Sequence, residues 1–188
     1  MAKFDLTDLY KKQAELDAAI AANHNITYET TRPRRILALL VEFGEFANST
    51  RCFKYWSNKP SESRDRVLDE YADGLHFFLS LGVDIKSSKR LFNFTKHEAD
   101  LTAQILKTYS LTAVFMKKQD EKSYVKAFQA FLNIVPLLHV RWSTIEEAYY
   151  KKLGINYNRQ ETNYWSVFIH LRNFKFLFKN KHLRKCFF

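Results

Sequence analysis

Glycine and proline are scarce in this chain, and their scarcity constrains the fold more than any other feature of the sequence. Only four Gly and three Pro occur among the 188 residues. An all-β sandwich needs many tight turns, whereas a few long helices need few. The sequence therefore predicts an all-α fold, a helical bundle, and its length suits one domain with a sizeable core.

The overall composition excludes two broad classes of protein. Apolar residues make up 46% and charged residues 27% of the chain, which excludes a disordered protein. No apolar run is long enough to span a membrane, and the first residues contain no apolar signal segment. The two cysteines, Cys52 and Cys186, lie far apart, so we expect a reduced, cytoplasmic protein.

The net charge of +10 indicates an anionic partner, and its distribution is uneven. Residues 165–188 contain six Lys or Arg and no acidic residue, so this tail carries more than half of the excess. A basic, aromatic tail can contact nucleic acid or a partner protein, or it can be a solvated end. We treat residues 1–188 as one domain with this tail. Four apolar residues at helical spacing predict a terminal helix in it: Phe168, Leu171, Phe174 and Phe178.

The first half of the chain shows the clearest helical periodicity. An amphipathic helix is expected over residues 5–22. Residues 34–50 and 64–82 are apolar nearly all round, as buried helices are, and a loop over 53–63 separates them. Pro33 is expected in the first turn of the earlier buried helix, where proline is tolerated.

The second half gives weaker signals. Helices are expected over residues 97–117, 121–138 and 143–153. Pro136 is expected to kink or end the middle one. The segment 84–140 is expected to supply helices that complete the bundle or the dimer interface. Residues 154–164 are rich in Asn, Gln and Thr and are interpreted as a polar loop.

Two pairs of carboxylates on the two buried helices indicate the chemistry. Glu42 and Glu45 lie on one helix, and Glu70 and Asp73 lie on the other. The i, i+3 spacing places both members of a pair on one helix face, so antiparallel packing would bring all four together. Burying unpaired carboxylates costs several kcal/mol each, roughly, and a divalent cation with oxygen ligands removes that cost.

The ligand types favour magnesium or manganese over zinc, because no paired His or Cys lies nearby. Magnesium held by carboxylates usually serves phosphates: it neutralises their charge and activates a water. The four carboxylates alone therefore favour phosphoanhydride hydrolysis, and they do not identify the base. Acidic i, i+3 pairs also occur on solvent-facing helices without any metal.

The E-x-x-E motif, followed after 24 residues by E-x-x-D, resembles the all-α nucleoside triphosphate pyrophosphohydrolase superfamily. Four further stretches make the chain similar to the dimeric dUTPases over about residues 9–164: Gln13–Asp17, Phe53–Trp56, Asp73–Phe77 and Lys152–Gln160. The resemblance implies a homodimer with shared active sites. It also implies Mg²⁺-dependent hydrolysis of dUTP to dUMP and pyrophosphate, and it leaves dUDP open as a second substrate. This reaction keeps uracil out of DNA and supplies dUMP.

The resemblance implies a role for each matched residue. The residues that would hold magnesium ions are Glu42, Glu45, Glu70 and Asp73, with Glu45 also polarising the attacking water. The residues that would bind phosphate oxygens are Lys152, Arg159 and Lys54. The residues that would form the nucleoside pocket are Gln13, Asn156, His76, Phe77 and Trp56.

These roles agree with the chemistry of the side chains. An Asn or Gln amide can match the donor and acceptors of uracil. Phe77 and Trp56 can stack on the ring, which is worth about 1–3 kcal/mol per base. Without the resemblance they are equally well interpreted as core aromatics. The segment 152–160 is expected to be a loop that closes over bound nucleotide.

Two other functions stay open from the sequence alone. A sibling enzyme would have the same fold and metal ligands but act on another nucleotide, such as dCTP. A basic helical nucleic-acid-binding protein would bind DNA in a salt-sensitive manner and show no turnover.

Overall fold

The computed structural model describes residues 3–162 and shows six α-helices within that range. The helices are α1 Thr7–His24, α2 Tyr28–Thr50, α3 Arg64–Asp84, α4 Leu101–Lys118, α5 Glu121–Leu132 and α6 Trp142–Glu161. The predicted all-α fold is confirmed. The predicted tail over 165–188, with its terminal helix, lies outside the described residues. None of the described helices is long and apolar enough to cross a membrane.

A short two-stranded ribbon, which the sequence pattern did not predict, joins the N-terminus to the segment after α3. Strand β1, Lys3–Asp5, pairs antiparallel with β2, Leu91–Asn93, with Phe4 opposite Phe92. Three residues per strand are too few for a periodic signal, so only the long-range pairing reveals them.

Helices α2 and α3 form an antiparallel pair. Near the start of α2, Arg32 forms an ion pair of 2.6 Å with Asp84, the last residue of α3. At the other end, the backbone N–H of Glu62 donates to the carbonyl of Ser49 at 2.9 Å. The residues of the two helices that face each other, including the predicted carboxylates, therefore lie along one shared groove.

Helix α2 begins six residues earlier than the sequence predicted. Thr27 caps it: its hydroxyl accepts from the backbone N–H of Thr30, and the Thr30 hydroxyl accepts from the backbone N–H of Thr27. This capping box satisfies two backbone donors that would otherwise lack partners. Pro33 consequently lies inside the helix and not in its first turn.

Gly82 was expected to end α3, but the helix continues to Asp84. A Cβ at Gly82 would overlap the hydroxyl of Tyr124 and lie 2.7 Å from that of Tyr10. Those two buried hydroxyls hydrogen-bond to each other at 2.6 Å. Gly82 therefore serves close packing between α1, α3 and α5.

Two predictions about helix ends in the second half of the chain were wrong. Helix α5 ends at Leu132, and Pro136 lies in a separate short 3-10 helix, Val135–Leu138. The predicted polar loop over 154–164 is helical up to Glu161, as the continuation of α6. Polar and aromatic residues at helical spacing form the inner face of this part of α6, so the hydropathy pattern did not indicate a helix. They are Asn156, Tyr157 and Gln160, all half-buried, which follow the buried Leu153.

Helix α3 lies at the centre of the bundle, between α1, α2, α5 and α6. Its buried aromatic residues pack against α5: Tyr71 stacks on Phe131, with ring centroids 4.3 Å apart, and Phe78 stacks on Phe128 at 5.2 Å. This packing fixes the rotation of α3, and so determines which of its residues face α2 and α6.

Candidate active site

Three of the four predicted carboxylates meet in the groove between α2 and α3. Glu42, Glu45 and Glu70 each contribute one oxygen, and these oxygens lie within 4.8 Å of one another. Glu70 is buried, Glu42 is half-buried and Glu45 is exposed. The cluster therefore opens to solvent on the Glu45 side, and its donor set suits a hard divalent cation.

The charges in this cluster are poorly compensated. Burial, followed by the charges of Asp73, Glu45 and Glu70, raises the pKa of Glu42 to about 7. Burial also raises the pKa of Glu70 and of Asp73. Carboxylates crowded in this way favour any cation that enters, because it relieves both desolvation and mutual repulsion.

Asp73, the fourth predicted ligand, is engaged with a lysine in the described part of the chain. The Nζ atom of Lys152 lies 2.7 Å from Asp73 Oδ2 and 2.9 Å from Asp69 Oδ2. Arg66 pairs with Glu70 in a similar manner. Two side-chain cations therefore neutralise part of the carboxylate cluster. The motifs from which the site was predicted contain neither Asp69 nor Arg66.

The predicted substrate-binding residues of the late segment, two for phosphate and Asn156 for the nucleoside, lie on a helix. Lys152, Asn156 and Arg159 are spaced i, i+4, i+7 along α6, on the side that faces α3. Lys152 is buried, Asn156 is half-buried and Arg159 is exposed. Burial raises the pKa of Asp73, and the charge of Arg159 offsets a small part of that rise. The Nη1 atom of Arg159 lies 3.4 Å from Asn156 Oδ1. The expected closing loop is wrong, because helix α6 carries these groups.

Gln13 and His76 meet in a buried polar layer next to the carboxylates. The Nδ1 atom of His76 lies 2.7 Å from Gln13 Oε1, and Gln13 Nε2 donates to Asp17 Oδ1 at 2.8 Å. The Tyr149 hydroxyl donates to Gln13 Oε1 at 3.3 Å, and its ring stacks on His76 at 4.2 Å. Because Asp17 receives the amide N–H, the amide oxygen faces His76, which assigns the proton of the imidazole to Nδ1.

The second ring nitrogen of His76 is not part of this hydrogen-bond network. Its Nε2 atom is buried and has no hydrogen-bond partner among the described residues. Burial lowers the pKa of His76 to about 3, so the ring stays neutral at physiological pH. A neutral imidazole with a free acceptor nitrogen is suited to receive a hydrogen bond.

The two predicted stacking aromatics do not meet. Phe77 is half-buried and packs against the core, whereas Trp56 lies in the loop after α2, with 64% of its surface exposed. Trp56 makes edge contacts with Tyr55 and Phe53, and Lys54 lies over the Phe53 ring at 5.6 Å. Within residues 3–162 this loop and Phe77 therefore do not enclose a base.

The fold and the site define an all-α protein in which three carboxylates cluster between two antiparallel helices, with oxygen donors that suit a divalent cation. A family model described as dUTPase matches residues 5–164, which is most of the chain. The chain therefore belongs to the dimeric all-α dUTPase family. It is a dUTP diphosphatase, a hydrolase of nucleotide metabolism that takes dUTP as its substrate. No curated protein sequence matches the chain.

Proposed function

We propose that this dUTPase depends on magnesium, and that Glu42, Glu45, Glu70 and Asp73 hold it. The meeting of three carboxylates, with oxygens within 4.8 Å, is the observation that supports the proposal most strongly. A site made of carboxylate oxygens suits Mg²⁺, with Mn²⁺ as a substitute. Asp73 joins the other three when Lys152 leaves it.

The protein's own groups have distinct roles in this proposal. Bound magnesium neutralises charge on the triphosphate and activates the attacking water. Glu45 lies on the solvent side of the cluster, so we assign to it the role of general base, which accepts a proton from that water. Lys152 holds phosphate oxygens as a point charge, and Arg159 can bind two oxygens at once. Lys54, in the loop between α2 and α3, is a third phosphate-binding group.

The nucleoside is proposed to lie beside the layer of Gln13 and His76. Both ends of the Gln13 amide are held by protein groups, so its orientation is fixed before substrate arrives. Asn156, on the adjacent face of α6, supplies an amide that can match the uracil edge. Phe77 and Trp56 are assigned to the two faces of the ring.

A second copy of the chain is proposed to complete this pocket. Trp56 lies in an exposed aromatic loop that does not approach Phe77 in the described chain. Leu37 and Val41 are exposed on α2, at 62% and 49%, and share one stripe of the helix with Glu45. A homodimer that buried this stripe would place the partner next to the carboxylate cluster. Shared active sites follow from such an arrangement.

We also propose that the enzyme acts in the cytoplasm, where the nucleotide pool is accessible to it. Cell fractionation followed by activity measurement in each fraction tests this location.

Pyrophosphate release from dUTP, dCTP, dTTP and UTP, and phosphate release from dUDP, each with magnesium and with EDTA, test the proposed chemistry. We expect turnover of dUTP, its loss in EDTA, and a decrease in kcat of at least about a hundredfold for Glu45→Gln. The matched control is Glu29→Gln, which changes an exposed glutamate in the first turn of the same helix. Undiminished activity in EDTA would exclude the metal, and a preference for dCTP would overturn the assigned pocket.

A further inference from the structure

One face of α3 carries four charged residues, of which only two are predicted metal ligands. Arg66, Asp69, Glu70 and Asp73 are spaced i, i+3, i+4, i+7, so they lie along one stripe of the helix. Glu70 and Asp73 belong to the proposed metal site. Asp69 has no role in the proposed reaction, although it directly precedes Glu70 in the sequence.

Asp69 contacts both cations that engage the metal ligands. Lys152 lies 2.7 Å from Asp73 and 2.9 Å from Asp69, through the same ammonium nitrogen. Arg66 pairs with Glu70 and places another guanidinium nitrogen 3.4 Å from Asp69 Oδ2. One oxygen of Asp69 is thus a partner of both Lys152 and Arg66, and Arg66 also lies 3.8 Å from Glu62.

A divalent ion must compete with these two cations. An ion bound by Asp73 and Glu70 draws their negative charge away from Lys152 and Arg66, which weakens both ion pairs. The Lys152 side chain is only 7% exposed, so an ammonium that loses Asp73 cannot turn freely to water. A buried charge without a partner is costly, so metal binding requires another acceptor within reach.

We propose that Asp69 is a positioning residue: it holds Lys152 and Arg66 when a divalent ion takes Asp73 and Glu70. Lys152 then stays beside the occupied site, with its ammonium placed for a phosphate oxygen. The inference rests on the proposed metal site. The competing explanation is that Asp69 is only one more negative charge that attracts cations to the groove.

A double-mutant cycle on Mg²⁺ binding without nucleotide separates the two explanations. The proteins are the wild type, Asp69→Asn, Lys152→Met and the double variant, with the Mg²⁺ dissociation constant measured by calorimetry. If Asp69 acts through Lys152, Asp69→Asn weakens Mg²⁺ binding about tenfold alone, because partners of metal ligands have effects of this size. In the Lys152→Met background the same change has less than about a twofold effect. Equal losses in both backgrounds overturn the proposal.

A second double-mutant cycle, with Arg66 in place of Lys152, tests the proposal even if the lysine variant misfolds. The Arg66 side chain is 50% exposed, so Arg66→Gln is expected to fold normally and allows the same comparison at Glu70. Asp65→Asn, an exposed change on the first turn of α3, measures the effect of lost charge alone. A loss for Asp65→Asn as large as that for Asp69→Asn would contradict a positioning role.

Steady-state kinetics with dUTP provides a readout that general electrostatics does not reproduce. At saturating Mg²⁺, Asp69→Asn is expected to raise the KM for dUTP several-fold, and Asp69→Glu is expected to restore it. If Asp69→Glu is as defective as Asp69→Asn, the proposal fails. If the wild type binds no Mg²⁺ at all, the proposed metal site fails first, which distinguishes that result from additive losses in a protein that does bind the ion.

Discussion

The Oε1 atom of Gln13 lies 2.7 Å from the Nδ1 atom of His76, and this contact joins α1 to the central helix α3. His76 is thereby held in a buried position against the ring of Tyr149, at 4.2 Å between centroids. A histidine fixed in this way stays neutral in the folded protein over a wide range of pH. The measurable consequence is a pH dependence of stability.

His76 is expected to make a destabilising contribution on acidification, opposite in sign to that of Glu42, whose pKa is raised to about 7. The pKa of His76 is about 3 when folded and 6.5 in an ordinary environment. Below pH 6.5 the unfolded chain therefore takes up a proton that the folded protein does not, and the folded state loses about 1.4 kcal/mol per pH unit. The loss is absent above pH 6.5 and complete near pH 3.

Urea unfolding at about pH 7 and about pH 5 measures this effect. His76→Gln is expected to lose about 2 kcal/mol less than the wild type between these two pH values. His97→Gln, which changes an exposed histidine, is the control and is expected to follow the wild type. Parallel pH profiles for wild type and His76→Gln would show that His76 is not buried in neutral form.

Replacement of Asp17 by alanine is expected to be strongly destabilising. Its carboxylate accepts hydrogen bonds from Gln13 Nε2 at 2.8 Å, from the Tyr28 hydroxyl at 3.0 Å and from the Ser80 hydroxyl at 2.7 Å. Asp17→Ala leaves these donors without their partner, at an expected cost of about 3 kcal/mol in the free energy of unfolding. Glu15→Ala, on the exposed side of the same helix, is expected to cost less than about 1 kcal/mol. Urea denaturation gives both values, and equal costs would contradict the assigned network.

The two helical glycines Gly82 and Gly154 are expected to respond to alanine in opposite directions. At Gly82 a Cβ overlaps the hydroxyls of Tyr10 and Tyr124, so Gly82→Ala should cost about 1–3 kcal/mol through overpacking. At Gly154, in α6, no heavy atom of another described residue outside the local helix backbone lies within 4 Å of the position that a Cβ would take. Gly154→Ala should therefore stabilise the helix by about 0.5–1 kcal/mol.

Thermal and urea unfolding of both alanine variants test whether the two substitutions change the free energy of unfolding in opposite directions. Adding Tyr124→Phe, which removes the overlapping oxygen, should recover part of the loss in Gly82→Ala. If Gly82→Ala is as stable as the wild type, the close contact of α1, α3 and α5 at this position is incorrect.

A charge on the exposed stripe of α2 is expected to dissociate the proposed dimer. Leu37→Asp places a carboxylate where the second copy would pack, and a twofold interface contains the change twice. Each buried leucine is worth about 1.5–3 kcal/mol, so the dimer dissociation constant should rise at least about a hundredfold. Sedimentation velocity measures the oligomeric state. Leu91→Asp, at a similarly exposed leucine in β2, is the control, and a dimer that survives Leu37→Asp would exclude this interface.

The sequence by itself determined the class of fold and three of the carboxylates that meet between α2 and α3. Few glycines and prolines predicted helices, and apolar residues at helical spacing located α1, α3 and α4 within a few residues, whereas α2 begins and α5 ends six residues earlier than predicted. The pairs Glu42–Glu45 and Glu70–Asp73 were informative because carboxylates within apolar helices are costly unless a cation binds them. These are local signals, since each depends on residues one or two turns apart.

The tertiary structure alone decided which partner each polar side chain has. No signal in the sequence joins Asp69 or Asp73 to Lys152, some eighty residues later, yet the ammonium of Lys152 binds both carboxylates. Hydropathy also missed the last turns of α6, whose inner face carries polar residues. Such contacts depend on the rotation and packing of helices that are distant in sequence, and residue spacing within a single helix carries no information about them.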